Sequence, residues 1–200
     1  KEGFTKRYIA RSFALRMIIS EEAIDDNKYP KIIDAADRLK RAMWMTVQTE
    51  CTLMLTRAQN AGYPGGDGVS LWSTAHTLPA GGTWSNVVAT PVAPSVAAVT
   101  DARTQVSHYP SQDGLLANAK IKKVIFPSDQ WGVWMGVLGS TNNPIAGNYS
   151  QINVVRKMSI EPVEARFWTS TTTQYMFQTN IPKGLRLKWR KRPAQRNWME

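Results

Sequence analysis

Residues 29–60 constrain the fold more than any other stretch. They contain no Gly or Pro after Pro30 and consist largely of strong helix formers. Asp25, Asp26 and Asn27 offer side-chain caps for the first turn, and Pro30 fits there because its missing N–H costs nothing. Asn60, Gly62, Pro64, Gly65 and Gly66 mark the end. Ile32, Ala36, Leu39, Met43, Val47, Cys51, Met54 and Ala58 recur every three or four residues and form one apolar stripe, widened by Ile33, Trp44 and Leu55. Lys31, Asp34, Asp37, Arg38, Lys40 and Arg41 fall mainly off it. Such a helix is about 45–50 Å long, as wide as a compact domain of this size, so other pieces must be laid along it. The apolar spacing drifts and no sustained heptad follows, which argues against a coiled coil.

The remaining bounds come from length, charge and cysteine. The 200 residues allow one large domain or two small ones, and eight Trp are available to anchor a core. No apolar run reaches the roughly 18 residues of a membrane span. The chain starts at Lys1 without a signal-like pattern, so it reads as processed, trimmed or partial. Cys51 is the single cysteine; its place on the stripe predicts a buried, inert thiol. The formal charge of +10 favours polyanions or an acidic partner surface, although a solvated basic face produces the same excess.

Residues 4–20 read as extended and basic, with Tyr8, Ala10, Ser12, Ala14 and Arg16 alternating against Ile9, Arg11, Phe13, Leu15 and Met17. The stretch predicts an arm that docks on a neighbour, its partner strand preceding Lys1. Residues 63–68 form a loop by composition, and 87–99 a Pro-punctuated linker. Ser95 caps an expected helix over 96–107, with Val96, Val99, Ala102, Arg103 and Val106 on its inner face. A strand is expected at 122–126. A helix over 130–138 follows, capped by Ser128 and Asp129, with Trp131, Trp134, Met135 and Leu138 in the core. Residues 139–151 read as a polar loop, and further strands are expected at 152–157, 163–169, 174–178 and 184–192. In the last, Leu185, Leu187 and Trp189 alternate with Arg186, Lys188 and Arg190. The fold class is α+β, without a repeating βαβ unit.

No constellation specifies an enzyme or a cofactor. His76 and His108 lack neighbours at metal-ligand spacing, which leaves hydrogen-bonded structural histidines. Gly65, Gly66 and Gly68 match neither a phosphate loop nor a dinucleotide fingerprint. Pro162 between Glu161 and Glu164 predicts a turn rather than a helix face. Ser73 and His76 with an aspartate form the one hydrolase alternative, but no nucleophile elbow frames a serine. The strongest charge feature is Lys183, Arg186, Lys188, Arg190, Lys191, Arg192 and Arg196, unbroken by acid until Glu200. Trp189 among them suits base stacking, yet its parity with Leu185 and Leu187 predicts core packing. A nucleic-acid-binding module using 183–196 is therefore the alternative function.

The stretch Leu71-Trp-Ser-Thr-Ala-His-Thr-Leu-Pro-Ala-Gly-Gly-Thr-Trp-Ser-Asn86 after the long helix, with Ile125-Phe-Pro-Ser-Asp129, resembles major capsid proteins of tailed bacteriophages, and among them the Mu-type head subunit group. The resemblance implies the Hong Kong 97-type fold. Residues 1–28 would hold the returning strand of an extended loop, and 29–92 a peripheral domain with the spine helix at 29–60. Residues 93–183 would form an axial domain, and 184–200 a return strand to the peripheral domain. It implies self-assembly into hexamers and pentamers of an icosahedral head around double-stranded DNA. The implied location is the virion, assembled in the host cytoplasm. Its partners would be copies of itself, packaged DNA, and scaffold, portal or decoration proteins. No membrane, cofactor or metal is implied. The residues expected at subunit or polyanion contacts are Lys6, Arg7, Arg11, Phe13, Leu15, Arg186, Lys188, Arg190 and Arg192. The first half of the extended loop and the strand pairing with 184–192 have no counterpart in these residues, and no crosslinking Lys–Asn pair is assigned.

Overall fold

The computed structural model describes residues 3–88, 90, 92–143, 151–169, 174–181 and 187–190. In order, the elements are α1 (Glu21–Asp25), α2 (Tyr29–Thr56), β1 (His76–Thr77), β2 (Thr83–Trp84), α3 (Val96–Ser107), β3 (Ile121–Phe126), α4 (Trp131–Gly139), β4 (Glu161–Glu164) and β5 (Met176–Thr179). Two 3₁₀ turns, Ser128–Gln130 and Val154–Met158, flank α4. The chain divides into one unit of Lys1–Lys6 with Thr46–Gly184 and a second of Arg7–Met45 with Leu185–Glu200.

The long helix α2 is continuous over 28 residues, about 42 Å. It begins where expected, but not through the expected caps. The Lys28 carbonyl accepts from the Lys31 and Ile32 N–H groups. Asp26 instead closes the short helix α1 and pairs with Lys28, and Asn27 takes a left-handed turn. The helix ends four residues before Asn60. Thr52 and Thr56 hydroxyls bond back to carbonyls of the preceding turn. The last amides then tighten, Ala58 N–H to Leu55 and Asn60 N–H to Arg57. The covered stripe runs through Ile32, Ala36, Leu39, Met43 and Val47, then shifts to Glu50 and Leu53. Cys51 and Met54 therefore lie outside it, and the Cys51 thiol is exposed rather than buried.

The main core belongs to the first unit. Ser95 caps α3 as expected, its hydroxyl accepting from Ala98 N–H at 3.1 Å. Val96, Val99, Ala102 and Val106 are buried, whereas Arg103 is exposed. Strand β3 is central in a three-stranded sheet, parallel to β4 and antiparallel to β5. Its pairing with β5 slips between Ile121 and Lys123. One extra residue at that bulge puts Ile121, Val124 and Phe126 all on the core face, which strict alternation would not. Pro162 sits in β4, at a sheet edge where a missing N–H is tolerated; a strand therefore replaces the expected turn.

Helix α4 turns differently from the expectation. Trp134 and Val137 are buried and Met135 and Leu138 partly so, whereas Trp131 is 54% exposed. Trp134 sets the register: it stacks on Phe126 at 5.9 Å, meets Tyr175 edge-on at 5.0 Å, and donates Nε1–H to Gln130 Oε1. Ser128 and Asp129 do not cap the helix; Ser128 and Gln130 bound a 3₁₀ turn, and the Ser128 hydroxyl donates to Glu164. Asn153, 1% exposed, closes the other end. Its Nδ2 donates to the Val137 and Ser140 carbonyls, and its Oδ1 accepts from Val155 N–H. That cap explains why 154–158 is a 3₁₀ turn and not the expected strand.

Other strand expectations hold in part. Residues 163–169 contribute only the end of β4, after which Trp168 turns into the interior. Residues 4–20 form no strand. Of 184–192, the described residues 187–190 are not a strand; 184–186 and 191–192 lie outside the described residues, as does 144–150 of the polar loop. Of the eight Trp, only Trp134 and Trp168 are buried among the described residues.

Candidate assembly surfaces

Three groups of residues could carry function: the N-terminal stretch, the basic segment near 188, and the knot around His76. In the first, residues 4–16 are exposed throughout. Phe13 is 59% and Leu15 54% exposed, and Tyr8, Ile9 and Ile18 more so. A chain that presents this many large apolar side chains without folding them inward has a surface suited to burial against something else. Lys6, Arg7 and Arg11 lie on the same exposed stretch, Lys6 closing the first unit's share of it and Arg7 opening the second unit's. The helix that follows exposes Tyr29, Ile33, Trp44 and Met45 as well.

Lys188 and Arg190 are exposed, on either side of Trp189 at 41% exposure and beside exposed Leu187. The expected burial of Leu187 and Trp189 on one face is not seen, because these residues form no strand. Arg186 and Arg192, with Lys183, Lys191 and Arg196, lie outside the described residues.

The His76 knot explains the conspicuous 71–86 stretch. Asn86 joins its two ends: Oδ1 accepts from Ser73 N–H at 3.0 Å, and Nδ2 donates to the Leu71 carbonyl at 2.7 Å. Between them, β1 and β2 pair His76 with Trp84, whose rings stack at 5.1 Å. Trp84 in turn meets Tyr109 edge-on at 5.0 Å, and burial raises the Tyr109 phenol above its ordinary pKa. His76 Nδ1 bonds Asp67 Oδ2 at 2.5 Å, both side chains nearly enclosed. The third member of a triad is not assembled. Among the described residues the buried His76 Nε2 has no partner, and the Ser73 hydroxyl accepts from Ala75 N–H instead. His108 is exposed and hydrogen-bonds the Thr104 carbonyl through Nδ1. Among the described residues no three His, Cys, Asp or Glu side chains cluster to hold a metal, and no helix is long and apolar enough to cross a membrane.

Among the described residues these groups are a hydrogen-bonded knot and uncovered apolar surfaces. The pattern shared by phage capsid proteins matches residues 3–191. The chain belongs to the phage capsid protein family. Comparison with curated proteins and with solved structures gave no match. As a structural capsid protein it is a virion component that associates with its own kind. Trp131, expected in the core, and Leu115 and Leu116 in the turn after α3 add exposed apolar surface.

Proposed function

We propose that this capsid protein is the major head subunit of a tailed bacteriophage, of the Mu-type group. In this reading it assembles through hexamers and pentamers into an icosahedral shell around double-stranded DNA, in the host cytoplasm, with scaffold, portal or decoration proteins as further partners. Its fold would be of the Hong Kong 97 type. Helix α2 is the spine of a peripheral domain at 29–92, residues 93–183 the axial domain, 184–200 the return strand, and 1–28 the extended loop. The observation that carries the reading is the family match over 3–191, joined to an N-terminal stretch whose Phe13 and Leu15 are uncovered. Shells need heterologous, complementary patches on every subunit, and an extended arm supplies one by overlapping a neighbour. Ordering a backbone costs about 1–2 kcal/mol per residue, so residues 7–19 gain a fixed place only against a second subunit. The test is the double variant Phe13→Asp, Leu15→Asp. Its subunit should keep the wild-type circular dichroism spectrum and sediment without forming shells; wild-type shells from it would refute the role of the arm.

A second reading concerns Arg186, Lys188, Arg190 and Arg192. We place them first at ion pairs with acidic residues of the same lobe or a neighbouring subunit. Trp189, exposed between Lys188 and Arg190, favours packaged DNA as their other partner. Phosphate contact predicts a steep fall of DNA affinity with salt, which Lys188→Gln with Arg190→Gln flattens by about two charges; an unchanged slope assigns these residues to protein contacts alone.

A further inference from the structure

We propose that the loop at 63–69 is a latch that fixes the root of the N-terminal arm, with Asp67 and His76 as its positioning residues. The inference deepens the arm reading given above and rests on it for its purpose, though not for its geometry.

Phe4 lies on this loop. A side chain built at Gly66 would place its Cβ 3.2 Å from Phe4 Cβ and 3.7 Å from the Phe4 backbone, so the absence of a side chain there is what admits Phe4. Gly3 approaches the Gln112 amide equally closely: a Cβ on it would lie 3.3 Å away. Residues up to Lys6 accordingly belong to the first unit, and the chain passes to the second at Arg7. The root of the arm thus makes two separate contacts, Phe4 on Gly66 of the loop and Gly3 on Gln112.

A seat is useful only if it is held. Gly65 N–H donates to the Val69 carbonyl across the loop, and Gly68 takes φ +83°, a conformation open chiefly to glycine. Asp67 then ties the loop down twice. Oδ1 accepts from Val69 N–H, and Oδ2 bonds His76 Nδ1. His76 cannot drift, because it is paired and stacked with Trp84, which is braced by Tyr109. Among the described residues Nε2 has no partner, so the ring's fastening is its Nδ1 bond to Asp67. Removing the Asp67 carboxylate leaves the His76 ring and the Val69 N–H unpaired at once, a cost borne by the loop. The direction of control therefore runs from the His76–Trp84 stack, through Asp67, to Gly66 and Phe4.

Hydrogen exchange on the full, unassembled chain reads this without requiring a shell. In Asp67→Ala the amides of 65–69 should exchange about tenfold faster, the change that about 1.4 kcal/mol of lost fastening produces, and hydroxyl-radical oxidation of Phe4, half-covered in the wild type, should rise about twofold as the ring is released. The amides of α3 should be unchanged. If Asp67→Ala loosens the loop while Phe4 oxidation keeps its wild-type rate, or changes neither, the latch is overturned. Should Asp67→Ala unfold the unit, seen as loss of α3 protection, Gly66→Val decides. It should raise Phe4 oxidation with α3 still protected, and unchanged oxidation of Phe4 overturns the proposal. The arm reading stands or falls separately, on whether the Phe13 and Leu15 variant forms shells.

Discussion

Asn153 is the residue whose loss should cost the capsid subunit most per atom removed. It is 1% exposed and joins α4 to the turn after it. Replacing it with Ala removes a 2.6 Å bond to the Val137 carbonyl, a 3.1 Å bond to the Ser140 carbonyl, and the acceptor for Val155 N–H at 3.0 Å. Val137 and Val155 are themselves buried, so water cannot replace these partners easily. A buried group left unpaired costs about 1–3 kcal/mol. Two such groups, partly relaxed, give an expected loss of about 2–4 kcal/mol. With a urea slope of about 2 kcal/mol per molar, the middle of the usual range, the unfolding midpoint should fall by about 1–2 M at unchanged slope. The assay is urea unfolding of the unassembled subunit followed by tryptophan fluorescence, since Trp134 is fully buried in the same helix as Val137. Asn153→Asp sharpens the test. Its carboxylate keeps the acceptor for Val155 but faces two carbonyls, which raises its folded pKa above the unfolded value. The folded state then binds the proton first, so relative to wild type this variant should regain stability as the pH falls from 7 toward 4. A midpoint for Asn153→Ala within experimental error of wild type would refute the capping argument.

Gly136→Ala should stabilise the subunit by about 0.5–1 kcal/mol in the same assay, because Gly136 lies inside α4 with nothing within 4 Å of an added Cβ; destabilisation would mean that the space is not open. Burial raises the phenol pKa of Tyr109 and Tyr175, so above about pH 10 the unfolded state ionises first and stability falls as pH rises. Tyr109→Phe and Tyr175→Phe should each flatten that alkaline fall, and a slope equal to wild type would contradict the assignment. The exposed Cys51 thiol should react with a maleimide in the folded, unassembled subunit as fast as a model thiol; protection by more than about tenfold would place it back in a covered stripe.

Local signals carried much of the fold. Ser95, the Gly- and Pro-free run of α2, and the β-branched 121–126 strand ending at Pro127 each act within a few residues, and each element formed near its expected bounds. What failed depended on partners distant in sequence. Residues 152–157 have strand composition, but Asn153 reaches back to Val137 and turns them into a 3₁₀ cap. Trp131 and Trp134 are alike in a helical pattern, and only Phe126, Tyr175 and Phe177 decide which one is buried. The stripe of α2 shifts from Cys51 to Glu50 because small errors in helical phase accumulate over several turns. Residues 4–20 have strand-like composition but no ladder partner, so pairing, which is a property of two strands, could not follow. The exposure of Phe13, Leu15, Lys6, Arg7 and Arg11 follows from an apolar and basic stretch outside any periodic element, which has nowhere local to pack. The Asp67–His76 pair was not legible as a fastening: His76 was weighed with Ser73 instead, because sequence shows neighbours and not the loop that brings Asp67 to the ring.

The most direct test of the central claim is electron microscopy of the purified, full chain under assembling conditions, carried to a resolution that traces the backbone. The account predicts closed shells of uniform diameter. In them residues 7–20 lie on a neighbouring subunit, with Phe13 and Leu15 covered. Folded subunits that never form closed shells, or shells in which residues 7–20 remain uncovered by any neighbour, would contradict it.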